Sequence, residues 1–137
     1  MSDMEYFDTD VLIHSIVNQE PNQHIKANDL IDHSIQAGLF KISILSIQEV
    51  GFVLAKLGLP KSFISLKVDA LLGMSPLTYG DTEIARAKIL AEIVGFRDFN
   101  DCIHTAIAER HCSDLYTRNY KDFKRIEEYT SLKIHYL

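Results

Sequence analysis

A chain of 137 residues with 47% apolar and 24% charged residues has the size and composition of one globular domain, able to bury a core without disulfide support. Its apolar runs are short and broken by charge, which excludes a transmembrane helix, and the start Met-Ser-Asp-Met-Glu-Tyr lacks the basic opening and apolar core of a signal peptide. The net charge of −5 opposes a partner gripped through phosphates, unless a divalent cation supplies the missing positive charge. Cys102 and Cys112 form no metal-spacing motif and read as reduced thiols of a cytoplasmic protein. No repeat, low-complexity tract or linker divides residues 1–137, so a single domain is expected.

In chain order, Met4 to Asp8 reads as a short buried strand ending on an acid, and Val11 to Val17 as a helix. Asn22 to Ala37 places Ile25, Leu30, Ile31 and Ile35 at helical spacing, with Gly38 as the stop. Ile42 to Leu45 reads as a second buried strand, and Ile47 to Leu57 as a helix with Gly58 beyond it. Pro60 suits the first turn of a helix running to Leu72 and closed by Gly73. Met74 to Tyr79 is a candidate third strand, which Pro76 would confine to an edge or a start. Asp81 is expected to cap a helix to about Val94, ended by Gly95. Asn100 to His111 is helical, and Asp114 to Thr117 and Leu132 to Tyr136 are strands. Short strands alternating with helices imply an α/β/α sandwich around a mainly parallel sheet of about four to five strands. Ligands of such sheets collect outside the carboxyl ends of the strands, where Asp8 and Thr117 fall.

Each acid near that edge has a structural and a chemical reading. Asp8 leads straight into a helix, so it serves as an N-cap or as a desolvated carboxylate that needs a cation. Ser46-Ile47-Gln48-Glu49 matches the capping-box pattern, which alone accounts for Ser46 and Glu49. Its place after the second strand also brings Glu49 to the edge that holds Asp8. Asp98 and Asp101 share a face at a helix start, where the helix dipole favours acids by typically ~0.3–1 kcal/mol. Thr117-Arg118-Asn119-Tyr120-Lys121-Asp122-Phe123 reads as a polar loop completing the ring. Two unit charges ~4 Å apart repel by about 4 kcal/mol at an effective dielectric of roughly 20. Converging carboxylates therefore either raise their pKa values or bind a cation. Oxygen donors of this kind match Mg²⁺ or Mn²⁺, not zinc, and the six histidines contain no HExxH-type pair.

Four segments taken in order, Phe7-Asp8-Thr9, Ser46-Ile47-Gln48-Glu49-Val50, Asn100-Asp101-Cys102-Ile103-His104-Thr105-Ala106-Ile107-Ala108 and Leu115 through Phe123, resemble the PIN domain. They are most similar to the VapC-type toxins of toxin–antitoxin modules. The resemblance implies a PIN-like sandwich and Mg²⁺- or Mn²⁺-dependent cleavage of RNA by activated water. It assigns Asp8, Glu49 and Asp101 as metal-binding acids, Asn119 as the fourth member, and Thr117 as a hydrogen-bonding support. A homodimer and a small antitoxin partner are implied in the same way. Two positions depart from the family pattern. Asn119 is an amide where the family often has Asp, with Asp122 as a substitute if the chain bends suitably, and Asp10 stands where Asn or Ser is common. Two rival readings remain. Asp8-Thr9-Asp10 fits the nucleophile motif of haloacid dehalogenase-like phosphatases, with Ser46 as their phosphate-binding hydroxyl, and a PIN-like fold that has lost catalysis would act as a binding domain.

Overall fold

The computed structural model describes residues 3–137. Strands β1 (Glu5–Phe7), β2 (Phe40–Lys41), β3 (Asp114–Thr117) and β4 (Lys133–Tyr136) form one sheet in the order β2-β1-β3-β4. Every pairing is parallel: Glu5 stands opposite both Phe40 and Asp114, and Asp114 opposite Lys133. A parallel sheet of this kind is covered on both faces, and successive side chains show it. Tyr6 and Leu115 enter the core beneath one layer of helices, while Phe7 and Tyr116 enter the other.

Helices α1 (Thr9–Ile16), α2 (Pro21–Gln36), α3 (Ile44–Lys56) and α4 (Lys61–Leu72) cover the Phe7 face. Helices α5 (Asp81–Val94), α6 (Phe99–His111) and α7 (Tyr120–Glu127) cover the Tyr6 face. The α/β/α sandwich expected from the alternation of elements is therefore present, with four strands. Helix α6 is buried along Cys102–Ala108, where small residues allow close approach to the sheet. The chain leaves β1 toward β2 and later returns to β3 on the opposite side of β1. That reversal opens a crevice at the carboxyl ends of β1 and β3.

Several boundaries differ from expectation. The second strand is Phe40–Lys41 and not Ile42 to Leu45, because Ser43 turns the chain into α3 three residues earlier than the pattern suggested. Ser43, not Ser46, caps that helix: its hydroxyl accepts from the Ser46 N–H at 3.1 Å, and the Ser46 hydroxyl accepts from the Ser43 N–H at 3.2 Å. The expected Ser46–Glu49 box is thus displaced by one turn, which frees Glu49 from any capping role. Met74 to Tyr79 forms no strand, only a single parallel bridge between Ser43 and Leu77. Asp81 is the first residue of α5 and not its cap. Gly80 takes the N-cap position, and its N–H donates to Glu83 at 2.7 Å. The segment read as a polar loop winds into α7 from Tyr120, with Phe123 and Ile126 fully buried. Gly38 follows α2 with φ +74°, a left-handed conformation that glycine adopts without steric cost.

The relocated cap has a measurable consequence. Ser43→Ala removes one helix cap from a fully buried position and is expected to lower the unfolding free energy by about 1–2 kcal/mol in urea titrations. An unchanged midpoint would overturn the assignment.

Candidate active site

Asp8 ends β1 and begins α1, and it uses both oxygens. Oδ1 accepts the Thr9 N–H at 2.8 Å, and Oδ2 accepts the hydroxyl of Thr117, at the end of β3, at 2.8 Å. The capping role and the edge role therefore coexist on different atoms. Only 5% of Asp8 is exposed. Burial raises its pKa, against the opposing pull of His104, Thr117 and Thr9.

Glu49 lies nearly two turns beyond the true cap of α3, facing the same crevice. Its Oε1 accepts from the Thr9 hydroxyl and from His104 Nε2, both at 2.6 Å, and its Oε2 accepts from the Asn100 amide at 3.0 Å. Burial alone would raise its pKa. The hydrogen bond and charge of His104, with Thr9 and Asn100, prevail and hold the carboxyl below its ordinary value. Burial likewise disfavours a charged His104. The electrostatic pull of Tyr6, the bond to Glu49 and the charges of Asp8 and Glu49 outweigh it and raise the imidazole pKa. His104 Nδ1 also meets the Tyr6 hydroxyl at 2.6 Å, and that hydroxyl lies 2.7 Å from Ser43 Oγ.

Asp101 stands in the first turn of α6. Burial, and then the neighbouring Asp8 charge, push its pKa up to about 8. Asp10 is pushed up to about 7 by the same two causes, although both its oxygens accept from the Arg118 N–H at 3.2–3.3 Å. A cleft of about 470 Å³ opens over these groups. Asp8, Thr9, Asp10, Glu49, Asn100, Asp101 and Asn119 line it, with Ile13, Phe52 and Val53 as its apolar wall.

The fourth corner is organised differently from the expectation of one amide standing in for an acid. Asn119 caps α7, its Oδ1 facing the Asp122 N–H at 3.4 Å. Its Nδ2 donates to Asp101 Oδ2 at 3.2 Å and to Asp122 Oδ2 at 3.0 Å. Both ends of the amide are occupied, so Asn119 ties two acids together and offers the cleft a donor in place of an oxygen. The first turn of α7 brings Asp122 round to Asp98 and Asp101. Among the described residues, Asp98, Asp101 and Asp122 are the trio whose ligand atoms lie within 4.8 Å of one another. Arg125 already bonds both Asp98 and Asp122. Asp8 and Glu49 lie outside that trio, with His104 standing between them, 3.8 Å from Asp8 and 2.6 Å from Glu49. Ser46 does not line the cleft. Its hydroxyl is fully buried among Ser43 and Tyr6, so it presents nothing to a phosphate as the phosphatase reading requires.

The donor set fits a hard divalent cation. It consists of carboxylate oxygens in a desolvated cleft, and two of the acids are held toward protonation by burial and by the charge of Asp8. Tyr6, Thr9, Asn100 and His104 were not singled out as site residues from the sequence. His104 had a signal, since it sits three residues after Asp101 on the same helix face. Thr9, next to the capping acid, had none that distinguishes it from an ordinary helix start.

A family model described as the PIN domain matches residues 6–129, so the chain belongs to the PIN-domain family, whose members are generally nucleases. No curated protein matches the sequence. Among solved structures, the chain resembles a DNA-bound VapBC from Salmonella typhimurium at 16% identity and TM-score 0.69, covering 97% of each chain. It resembles VapBC2 from Rickettsia felis bound to a promoter DNA fragment at 16% identity and TM-score 0.63, covering 98% of each. A toxin–antitoxin complex from Klebsiella pneumoniae matches at 22% identity and TM-score 0.62, over 87% of this chain and 89% of that one. At such identities the likeness is one of fold.

Two outcomes follow from the electrostatics. Asp101 and Asp10 have folded pKa values of about 8 and about 7 against an ordinary value of 3.8, so the native state holds protons that the unfolded chain has released. Their contribution to stability is full below pH ~4 and is lost as pH climbs toward ~8. Thermal melts of metal-free protein should fall across that window, and Asp101→Asn should flatten the fall. His104→Ala removes one partner each from the Tyr6 hydroxyl and from Glu49 Oε1 and empties a fully buried position. It is expected to cost about 2 kcal/mol or more in denaturant titrations.

Proposed function

We propose that this protein is a Mg²⁺- or Mn²⁺-dependent endoribonuclease, the toxin of a toxin–antitoxin pair, with Asp8, Glu49 and Asp101 as its metal-binding acids. The observation that carries the proposal is the convergence of these three carboxylates, from three separate elements, on one cleft at the sheet's reversal point. Membership of the PIN family supports nuclease chemistry there. A bound divalent cation would lower the pKa of a water and steady charge on a phosphodiester oxygen.

The protein's own residues prepare that chemistry. Thr9 and Thr117 fix the orientation of Asp8, and His104, Thr9 and Asn100 fix that of Glu49. A carboxylate oxygen that accepts one hydrogen bond keeps a lone pair for a cation, as Asp8 Oδ1, Asp8 Oδ2 and Glu49 Oε2 do. Such outer contacts commonly govern metal affinity, with roughly a 10–100-fold loss on their removal. Asp10 extends the acidic wall, Asp122 stands behind Asp101, and Asn119 braces both Asp101 and Asp122. A small antitoxin and a second copy of the chain are the proposed partners. The similar Klebsiella structure is a toxin–antitoxin complex. Among the described residues no helix is long and apolar enough to cross a membrane, and the proposed setting is the cytoplasm. One observation favours the alternative of a catalytically weakened binding domain, namely that Asn119 turns a nitrogen and not an oxygen toward the acids.

The test is cleavage of a single-stranded RNA by purified protein. Cleavage should require Mn²⁺ or Mg²⁺, stop with chelator, and fall at least about a hundredfold in Asp8→Asn and in Asp101→Asn. Mn²⁺ should raise the melting temperature of wild type more at pH 8 than at pH 6, because the acids must release protons to bind it. Full cleavage by both variants, or wild-type protein inert with either metal, would overturn the proposal.

A further inference from the structure

Among the described residues, Phe52 is the only aromatic side chain that lines the acidic cleft. It is 66% exposed, although an apolar ring of that size gains by leaving water. A lone apolar side chain on a surface calls for no explanation. Phe52 is not alone: Ile13 from α1 and Val53, beside it on α3, continue the same wall. The cleft thus joins bare apolar surface directly to the acids.

Helix α3 sets the distance between the two. Glu49 and Phe52 are three residues apart, which places them on one helix face with roughly 5–6 Å between their Cβ atoms. Thr9 and His104 hold Glu49 beside Asp8, so a phosphodiester engaged by these acids has the ring as its neighbour. A nucleotide separates phosphate from base by a single sugar, a span of similar order. Lys56, one turn further along α3, lays its ammonium over one face of the ring, 5.5 Å from the centroid. That contact covers one face of a side chain that is mostly exposed, and at an exposed site it is weak. Lys56 makes no ion pair or side-chain hydrogen bond with the described residues. The charge beside the ring is therefore a cation free to meet a phosphate.

From this placement we propose that Phe52 is the base-stacking residue of the site, its ring receiving the unpaired base of the nucleotide whose phosphodiester meets the acids. The proposal rests on the nuclease reading and adds the contact that selects a single strand. An aromatic face accepts any unpaired base. The bases of a duplex are already stacked on one another, and its phosphates would reach the acids with no base for the ring. An apolar protein segment would cover the ring but leave Lys56 without an anion. Phe52 therefore discriminates by strandedness and not by sequence.

The contact can be read apart from cleavage. The chain contains no tryptophan, so Phe52→Trp installs a single fluorophore at the proposed contact. With Ca²⁺ as the hard cation, a single-stranded RNA of about a dozen nucleotides is expected to quench it. A duplex of the same length, or the same strand stripped of its bases, should quench it far less. In cleavage assays with Mn²⁺, Phe52→Ala is expected to raise KM about tenfold or more, and Phe52→Trp to recover most of that loss. An RNA lacking only the base at the cleavage site should be cut alike by wild type and Phe52→Ala, because the missing base removes the interaction from both. The melting temperature of Phe52→Ala should match that of wild type, since the side chain is exposed. Cleavage with an unchanged KM in Phe52→Ala overturns the proposal, leaves the apolar wall to a protein partner, and keeps the nuclease reading. Equal quenching by the strand with and without bases overturns it as well. Base-dependent quenching in a protein that cleaves no RNA keeps the stacking contact and removes the nuclease reading.

Discussion

Placing the carboxylate of Asp8 in the interior, at the carboxyl end of the central strand, is the constraint around which the other features are arranged. An ionised carboxylate removed from water is costly unless donors or a cation replace its hydration. Here the replacements come from distant parts of the chain: the Thr9 amide at the start of α1, the Thr117 hydroxyl at the end of β3, and His104 from the middle of α6. The parallel pairing of β1 with β3 sets Asp8 and Thr117 side by side. The burial of α6 against the sheet brings His104 beneath them. Fold and site are thus aspects of the same packing.

The same burial explains why the neighbouring acids differ from one another. Glu49 has three donors and stays ionised, whereas Asp10 and Asp101 have fewer and are raised toward neutrality by burial and by Asp8. A cluster with one well-compensated acid and two poorly compensated ones is primed to exchange protons for a cation as pH rises. The contacts of Glu49 also show why its sequence context misled. The Ser46–Glu49 spacing is a good capping signature, but the helix begins at Ser43, a serine three residues earlier that satisfies the same rule.

Much of the architecture could be read from the chain, because buried parallel strands and amphipathic helices leave clear periodic signals. The meeting of Asp8 and Glu49 at one edge was expected from strand ends and element order, and Asp101 was added to them by the resemblance to the PIN domain. Other features depended on tertiary choice. Ile42 to Leu45 has strand-like composition, yet the cap at Ser43 outweighs it. Helix α7 was hidden by its charged residues, although Phe123 and Ile126 stand one turn apart and Asn119 is a good cap. The role of His104 required the depth of α6, which spacing alone does not give.

Asn119 performs two tasks with one amide, starting α7 and bracing Asp101. Aspartate and asparagine are near equals as helix N-caps, so exchange between them at this position costs the helix little. The exchange would nonetheless turn a donor between two acids into a further negative charge. The start of the helix is therefore almost indifferent to a change that alters the charge of the acid cluster. Variation at this one residue can reset the charge of the acid cluster while the start of α7 stays as it is.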